Sequence, residues 1–273
     1  MDGQTDKLVV LARGLGTRMR RADRAAALDE RQAAVADTGV KALMPMGRPF
    51  LDYVLSAAAD AGFRCACLVV GPEHEAVRDY YTREARPRRL GIEFAVQPEP
   101  KGTADAVLAA EACAGAEEFA VINSDNYYPP DALRELRAET GSAVALFEHD
   151  CMVREGNVPP ERLRQFAVGK IDAEGFLADI IEKPDAATLA GLPRPLRLSM
   201  NCWRFTPAIF KAARAIGPST RGEYEIPDAV RYAIRELGER FRVLRVRAAV
   251  LDLSTRQDVA AVAARLAGTE VEL

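Results

Sequence analysis

Histidine is scarce: the 273-residue chain has only two, His74 and His149. Chemistry that depends on an imidazole acid or base therefore has little to draw on. A basic surplus is also missing. Thirty-seven Lys and Arg face 40 Asp and Glu, for a net charge of −3 and a pI near 5.7, which argues against a nucleic-acid surface. No apolar run reaches the length of a membrane span, and Met1 to Lys7 is polar, unlike a signal peptide. These absences make the cytoplasm the expected location. The five cysteines (Cys65, Cys67, Cys113, Cys151 and Cys202) are odd in number and lack metal-type pairing, so no zinc or redox role is assigned and buried thiols are expected. Cys65 and Cys67 alternate within "FRCACLVVG", which predicts that one of them points into a core.

Two nucleotide fingerprints are absent as well. GxxxxGK[ST] does not occur. The loop "RGLGTRMR" has Met19 where GxGxxG needs its third glycine, and the strand "LVVG" is followed by Pro72 rather than an acid. An NAD-dependent oxidoreductase is disfavoured on both counts. There is no internal repeat, low-complexity tract or flexible linker. No hexapeptide repeat follows the last helical stretch, so no C-terminal β-helix is expected.

What the chain does have is 49% hydrophobic and 28% charged residues, the balance of an ordinary globular protein able to bury a sizeable core. Strand-like runs alternate with helical ones: "KLVVLA", the helix "PFLDYVLSAAADAG", "ACLVVG", the helix "EHEAVRDYYTREA", "IEFAVQ", the helix "TADAVLAAEACAG" and "FAVIN". This alternation predicts βαβ units, a parallel sheet and an α/β fold. Ligands on such sheets sit beyond the carboxyl ends of strands. The second half predicts strands at "SAVALFEH", "QFAVGKID", "LADIIEK" and "RLSMNCWRF", helices at "PAIFKAARAIG" and "EIPDAVRYAIREL", one long strand "FRVLRVRAAVLDL" and a closing helix "TRQDVAAVAARLAG". One continuous domain over 1–273 is the economical reading. The Ala-rich, mixed-charge stretch between Arg18 and Lys41 reads as a surface helix or a mobile flap.

Four segments carry chemistry. The glycine-rich turn after the first strand lets backbone N–H groups approach phosphate oxygens, and it continues into Thr17 and Arg18, a hydroxyl and a guanidinium suited to a polyphosphate. "INSDNYY" places Asp125 just past a buried strand. "VLDLST" places Asp252 at the end of another apolar run. Mg²⁺ takes one or two protein carboxylates plus phosphate oxygens, so this pair suffices if the two converge. "IIEKPD" sets Glu182 and Lys183 at a strand end closed by Pro184, where the lysine can meet an anion and the glutamate hydroxyls. His74, in "GPEHEAV", is given a helix-start role.

Together these pieces resemble the sugar-1-phosphate nucleotidylyltransferases, or NDP-sugar pyrophosphorylases. "LARGLGTRM" matches the family's LAxGxGTRM, and "KALMPMGRPFLDYVL" resembles its Lys-Pro segment. "QPEPKGTADAVLAA", "NSDNYY", "IEKP", "RGEYEIPDAV" and "LDLSTRQD" follow in the family's order across almost the whole chain. The resemblance implies a Rossmann-like three-layer sandwich with a mixed, mainly parallel central sheet. It also implies transfer of a nucleoside monophosphate from NTP to a sugar 1-phosphate, or a related cyclitol phosphate, with Mg²⁺ and without nucleic acid or membrane. In that picture 1–125 forms the nucleotide-binding half and 126–273 the sugar-phosphate half. Ala12, Gly14, Gly16 and Thr17 hold the triphosphate, Arg18, Lys41 and Lys183 supply catalytic charge, and Gln97, Gly102 and Thr103 meet the nucleoside. Asp125 and Asp252 bind the metal, while Asn126, Glu182, Lys183 and Asn201 hold the sugar phosphate.

Departures from the family pattern are specific. Arg13 stands where a small residue is usual, near where the base docks. Ser124 replaces a glycine, Cys202 and Trp203 alter the sugar segment, and the 19–40 stretch is long. They motivate a competing reading, a catalytically silent nucleotide-sugar sensor, against which the retained Arg18, Lys41, Asp125, Lys183 and Asp252 argue. Gln97 can donate and accept, which is compatible with uracil, thymine or guanine. The base, the sugar and the oligomeric state, a homo-oligomer included, stay open.

Overall fold

Apolar residues on both faces of the first strand dictate the layering. Successive strand side chains point opposite ways, and here Leu8 and Val10 enter one buried cluster while Val9 enters another. A strand apolar on both sides has to be covered on both sides. The computed structural model describes residues 4–23 and 25–273, and in it helices cover each face of a central sheet. Met1 to Gly3 of the polar start, and Arg24 within the 19–40 stretch, lie outside the described residues.

The strands are β1 Lys7–Leu11, β2 Cys65–Val70, β3 Gly91–Val96, β4 Phe119–Asn123, β5 Asn126–Tyr127, β6 Ala143–Glu148, β7 Val168–Ile171, β8 Leu177–Ile181, β9 Arg197–Phe205, β10 Arg242–Val246 and β11 Leu251–Asp252. The main sheet runs β10-β6-β9-β4-β1-β2-β3, with β7 and β8 attached beside β9. β1 pairs parallel with β2 and β4, β2 with β3, and β6 with β10, whereas β9 is antiparallel to both β4 and β6. This is the mixed, mainly parallel sheet expected. The chain moves from β1 to β2 on one side and later adds β4 on the other, so a topological switch opens between β1 and β4. Crevices for ligands form at such points.

One face is packed by helix Phe50–Asp60, whose Phe50, Leu51, Val54, Leu55 and Ala58 are fully buried. The other is packed by helices Thr103–Ala109, Ala208–Ala215 and Ile226–Leu237 around an aromatic core. There Trp203, the single tryptophan, stacks on Phe205 at 5.7 Å between ring centres and meets Phe241 edge-on at 6.0 Å. Cys67 is buried and Cys65 half-buried, as their alternation predicts.

Several elements differ from the sequence expectation. "FRVLRVRAAVLDL" is two strands, because β10 is committed to β6 while Asp252 pairs antiparallel with Asn126 of β5; one straight strand cannot do both. The helix "TADAVLAAEACAG" breaks at Ala110. Within 19–40 the longer helix is Glu30–Thr38. It starts at a capping box, in which Asp29 Oδ1 accepts the Gln32 N–H at 2.7 Å and Gln32 Oε1 accepts the Asp29 N–H at 3.1 Å. It ends at Gly39 in the left-handed conformation. Helices Pro130–Ala138, His149–Glu155, Pro160–Leu163 and Ala186–Gly191 were not expected; the first was legible as Pro130 followed by Ala132, Leu133 and Leu136 on one face.

Candidate active site

The carboxyl ends of β1, β3 and β4 open onto a cleft of about 430 Å³. Its wall includes Ala12 to Arg18, Lys41, Gln97, Gly102, Thr103, Asp125 and Asn201. The glycine loop is shaped by contacts with the helix at 30–38. Gly16 has φ +60°, and a Cβ there would lie 2.2 Å from the Gly39 carbonyl oxygen. A Cβ at Gly14 would meet nothing within 4 Å among the described residues beyond its own chain neighbours, so its missing side chain leaves open cleft. The 19–40 stretch thus buttresses the loop, and Arg256 ties it down from the far end of the chain, donating to the Met19 carbonyl at 2.9 Å and pairing with Asp37. Gly16→Ala is expected to cost about 2–4 kcal/mol through overpacking and left-handed strain; a denaturant midpoint equal to wild type would contradict the packing described.

Asp125 and Asp252 are brought together by the β5–β11 ribbon. Asp252 lies opposite Asn126, and the Leu253 N–H donates to the Asp125 carbonyl at 2.8 Å. Lys41 reaches across the cleft to pair with the Asp125 carboxylate. Asp252 is buried, and its carboxyl is pushed upward first by burial and second by the charge of Asp125. Its Oδ1 accepts from Asn126 Nδ2 at 2.9 Å and its Oδ2 from Arg162 at 3.0 Å, while Arg162 also holds Asp258 at 2.9 Å. Asn157 pins the Asp252 backbone with two 2.8 Å bonds. Asn126 differs from its expected direct contact with the sugar phosphate: it is buried and its amide holds Asp252.

At the β3 end the character changes from charge to amide. Gln97 is buried, and its Nε2 donates to the Gly102 carbonyl at 3.1 Å and to Asp105 at 2.7 Å. Both partners are acceptors, so the amide orientation is set and Oε1 is left for the cleft. Gly102 has φ +120°, and a Cβ there would lie 2.4 Å from the Tyr224 carbonyl oxygen. Thr103 Oγ1 accepts the Ile226 N–H at 3.0 Å. His74 stands at the N-cap position of helix Glu75–Asp79, the helix start expected of it, but its side chain makes no capping bond; Nδ1 instead accepts the N–H of Gly71 in the preceding turn at 3.2 Å, and burial lowers its pKa.

A second group lies along β8 and the 219–226 segment. Glu182 meets Arg221 at 3.6 Å, and Arg221 binds Glu225 at 2.7 Å. Burial raises the Glu182 carboxyl against the lowering pull of Arg221 and Lys183. Lys183 is exposed, with φ +43°. Asn201, on β9, has φ +53°, and its Oδ1 accepts the Trp203 indole N–H at 3.3 Å, leaving Nδ2 as a donor. Non-glycine residues in this backbone region cost on the order of 1 kcal/mol and cluster at functional sites. Glu182, Lys183, Asn126 and the buried Asp252 do not line the main cleft, whereas Asp125 and Asn201 do.

A glycine loop, free and paired cations and two converging carboxylates describe a site for a polyphosphate, and comparison with known proteins decides the family. Residues 34–267 match the nucleotidyl transferase family model. The chain belongs to this family. It is 29% identical to a UTP–glucose-1-phosphate uridylyltransferase of Haloferax volcanii, over 92% of each chain. It is 31% identical to a glucose-1-phosphate thymidylyltransferase of Streptomyces griseus, over 84% of this chain and 57% of that one. The fold matches a crystal structure of UDP-glucose pyrophosphorylase complexed with UDP-glucose, with TM-score 0.73, 22% identity and coverage of 97% and 99%. The resemblance read from the motifs and the expected α/β class are both borne out.

The nucleotidyltransferase carries further residues at the site that motif reading passed over. Asp105 orients Gln97, Arg162 holds Asp252, and Arg221 joins Glu182 to Glu225. Asp105 sits within the "GTAD" segment and Arg221 within "RGE", so both are motif letters whose role the motif alone does not give. Arg162 had no sequence signal, since it acts through a contact 90 residues away. Among the described residues no cluster of three or more His, Cys, Asp and Glu could hold a metal alone. Asp125, in the turn before β5, and Asp252 of β11 are a hard oxygen pair of the kind that fits a Mg²⁺ sharing its sphere with phosphate oxygens. Among the described residues no helix is long and apolar enough to cross a membrane.

Proposed function

We propose that the enzyme transfers the nucleotidyl group of UTP or dTTP to a glucose-type sugar 1-phosphate, or a related cyclitol phosphate, releasing pyrophosphate. The observation that carries this is the convergence of Asp125 and Asp252, neutralised by Lys41 and Arg162, at the β1–β4 switch beside the glycine loop. The choice of base and sugar leans on the named relatives. Residues 1–125 then serve the nucleotide and 126–273 chiefly the sugar phosphate.

A sugar-phosphate oxygen attacks the α-phosphorus, the bond from that phosphorus to the α–β bridging oxygen breaks, and pyrophosphate leaves with the electron pair. The nucleophile is already an anion, so no base is needed. The task is to bring two polyanions into line and cover the charge that moves to the leaving group. The glycine loop, Thr17 and Arg18 receive the triphosphate. Arg18 is exposed at the cleft rim. Lys41, paired with Asp125, lines the cleft and supplies positive charge to the phosphates. Asp125 and Asp252 would hold the Mg²⁺, which supplies charge screening between the two substrates. Asn126 and Arg162 keep Asp252 in position. Lys183 binds the sugar phosphate, and Glu182 and Asn201 meet sugar hydroxyls. A cytoplasmic location goes with nucleoside triphosphate as donor.

Lys183→Ala is expected to raise KM for the sugar 1-phosphate about tenfold or more, the loss of one charge-assisted contact, with a much smaller change in KM for NTP. Steady-state kinetics with each substrate varied in turn measures this, and equal effects on both would overturn the role.

A further inference from the structure

Arg13 is retained at a physical cost that its own fold does not repay. Its side chain is 6% exposed, and Nη2 donates to the Pro98 carbonyl at 3.1 Å and meets Glu73 at 3.3 Å. Nε and Nη1 are enclosed with no hydrogen-bond partner among the described residues. Buried polar atoms are nearly always paired, and a charged donor left without an acceptor is among the costlier exceptions. Arg13 is also part of the cleft wall.

Its neighbours say which part of a ligand it faces. Pro98 directly follows Gln97, and Glu73 follows β2, so the guanidinium leans toward the β2 and β3 ends. The polyphosphate groups Lys41 and Asp125 lie toward β4, across the cleft. The cleft wall shared by Arg13 and Gln97 also includes Pro100, Gly102 and Ala106, which carry no charge. Both donors of Gln97 are consumed by Gly102 and Asp105, so Gln97 offers this end an acceptor. A flat polar ring docked here brings its N–H to Gln97 Oε1 and needs a separate donor for any ring carbonyl.

We propose that Arg13 is that donor, and that the pair selects bases with an adjacent C=O and N–H: uracil, thymine or guanine. Adenine and neutral cytosine lack this unit. The Glu73 contact is long and its carboxylate is half exposed, so a modest turn of the side chain exchanges Glu73 for the base carbonyl. The inference rests on the nucleotide placement above and adds a specificity-determining residue to it.

Titration calorimetry of UTP, dTTP, GTP, CTP and ATP against wild type and Arg13→Met tests it, with thermal melts of both proteins. The expected result is that wild type binds UTP or dTTP at least tenfold more tightly than CTP. Arg13→Met then weakens the favoured nucleotide about tenfold and CTP less than threefold, without a lowered melting temperature, and Arg13→Lys restores part of the selectivity. Equal weakening of all five nucleotides, a wild-type preference for CTP or ATP, or a lowered melting temperature with uniform loss would overturn it. Arg13-dependent selectivity in a protein that forms no nucleotide sugar would instead refute the proposed reaction and leave this inference standing. Product formation with an unchanged UTP-to-CTP ratio in Arg13→Met would do the reverse.

Discussion

Asp125→Asn is expected to lower kcat at least about 100-fold at saturating Mg²⁺, corresponding to ~2.7 kcal/mol of transition-state stabilisation. Asp125 lies two residues past the end of β4, its side chain is 22% exposed, and its carboxylate is engaged by Lys41. Asparagine keeps the shape and the backbone carbonyl that accepts from Leu253, so the fold should survive and the loss should fall on the chemistry. The charge matters because Asp252 alone cannot replace it: that carboxylate is buried, and Asn126 and Arg162 already occupy its oxygens. Without Asp125 the metal keeps one compromised ligand, and Lys41 remains as an unpaired cation over the phosphates. A partial compensation by Lys41 would show as a lowered KM for NTP alongside the lowered kcat. The measurement is initial-rate pyrophosphate release against Mg²⁺ concentration, with circular dichroism confirming the fold. An unchanged kcat would remove Asp125 from the metal site.

The second large effect falls on stability. Arg162→Met should cost about 3–5 kcal/mol, the usual penalty for stripping one partner from a buried ionic network. Arg162 bridges Asp252 and Asp258, whose side chains are 6% and 5% exposed. Asp258 keeps the Ser254 and Thr255 N–H groups, at 3.0 and 2.7 Å, but Asp252 would face the charge of Asp125 with only Lys41, already paired with Asp125, to offset it. The pH dependence has a definite sign. The Asp252 carboxyl is already raised in the fold by burial and by Asp125. A raised acid contributes stability below its unfolded pKa, and that contribution is lost as pH rises through the folded value. Removing Arg162 raises the carboxyl further. The destabilisation should therefore be larger at pH 8 than at pH 5, as read from urea midpoints at the two values. A loss that does not depend on pH would mean that Arg162 acts by packing alone.

What was legible in the sequence was the part governed by local rules. "KLVVL" and "CACLVV" read as strands because both of their faces are apolar, and "LARGLGTRM" could be placed at a carboxyl end because a loop must follow a strand. Asp125 and Asp252 were each visible as an acid leaving an apolar run. Their meeting was not, because it depends on the two-residue ribbon β5–β11, too short to leave a periodic signal. The long strand expected through Asp252 failed for the same reason: the chain turns at 247–250 to leave the main sheet and build that ribbon. Asn126 looked like a sugar contact from its motif position, whereas the fold uses its amide on Asp252. Arg162 and the split duties of Gln97 depend on contacts between distant segments, which neither propensity nor spacing encodes.

The most direct measurement is the forward reaction itself. Purified enzyme with Mg²⁺ is supplied with UTP or dTTP and glucose 1-phosphate, and pyrophosphate and nucleotide sugar are quantified together. The predicted result is both products in equal amounts, only when both substrates are present, and their loss in Asp125→Asn. Tight nucleotide binding with no pyrophosphate from any pairing of triphosphate and sugar 1-phosphate would contradict catalysis and leave a binding protein in its place.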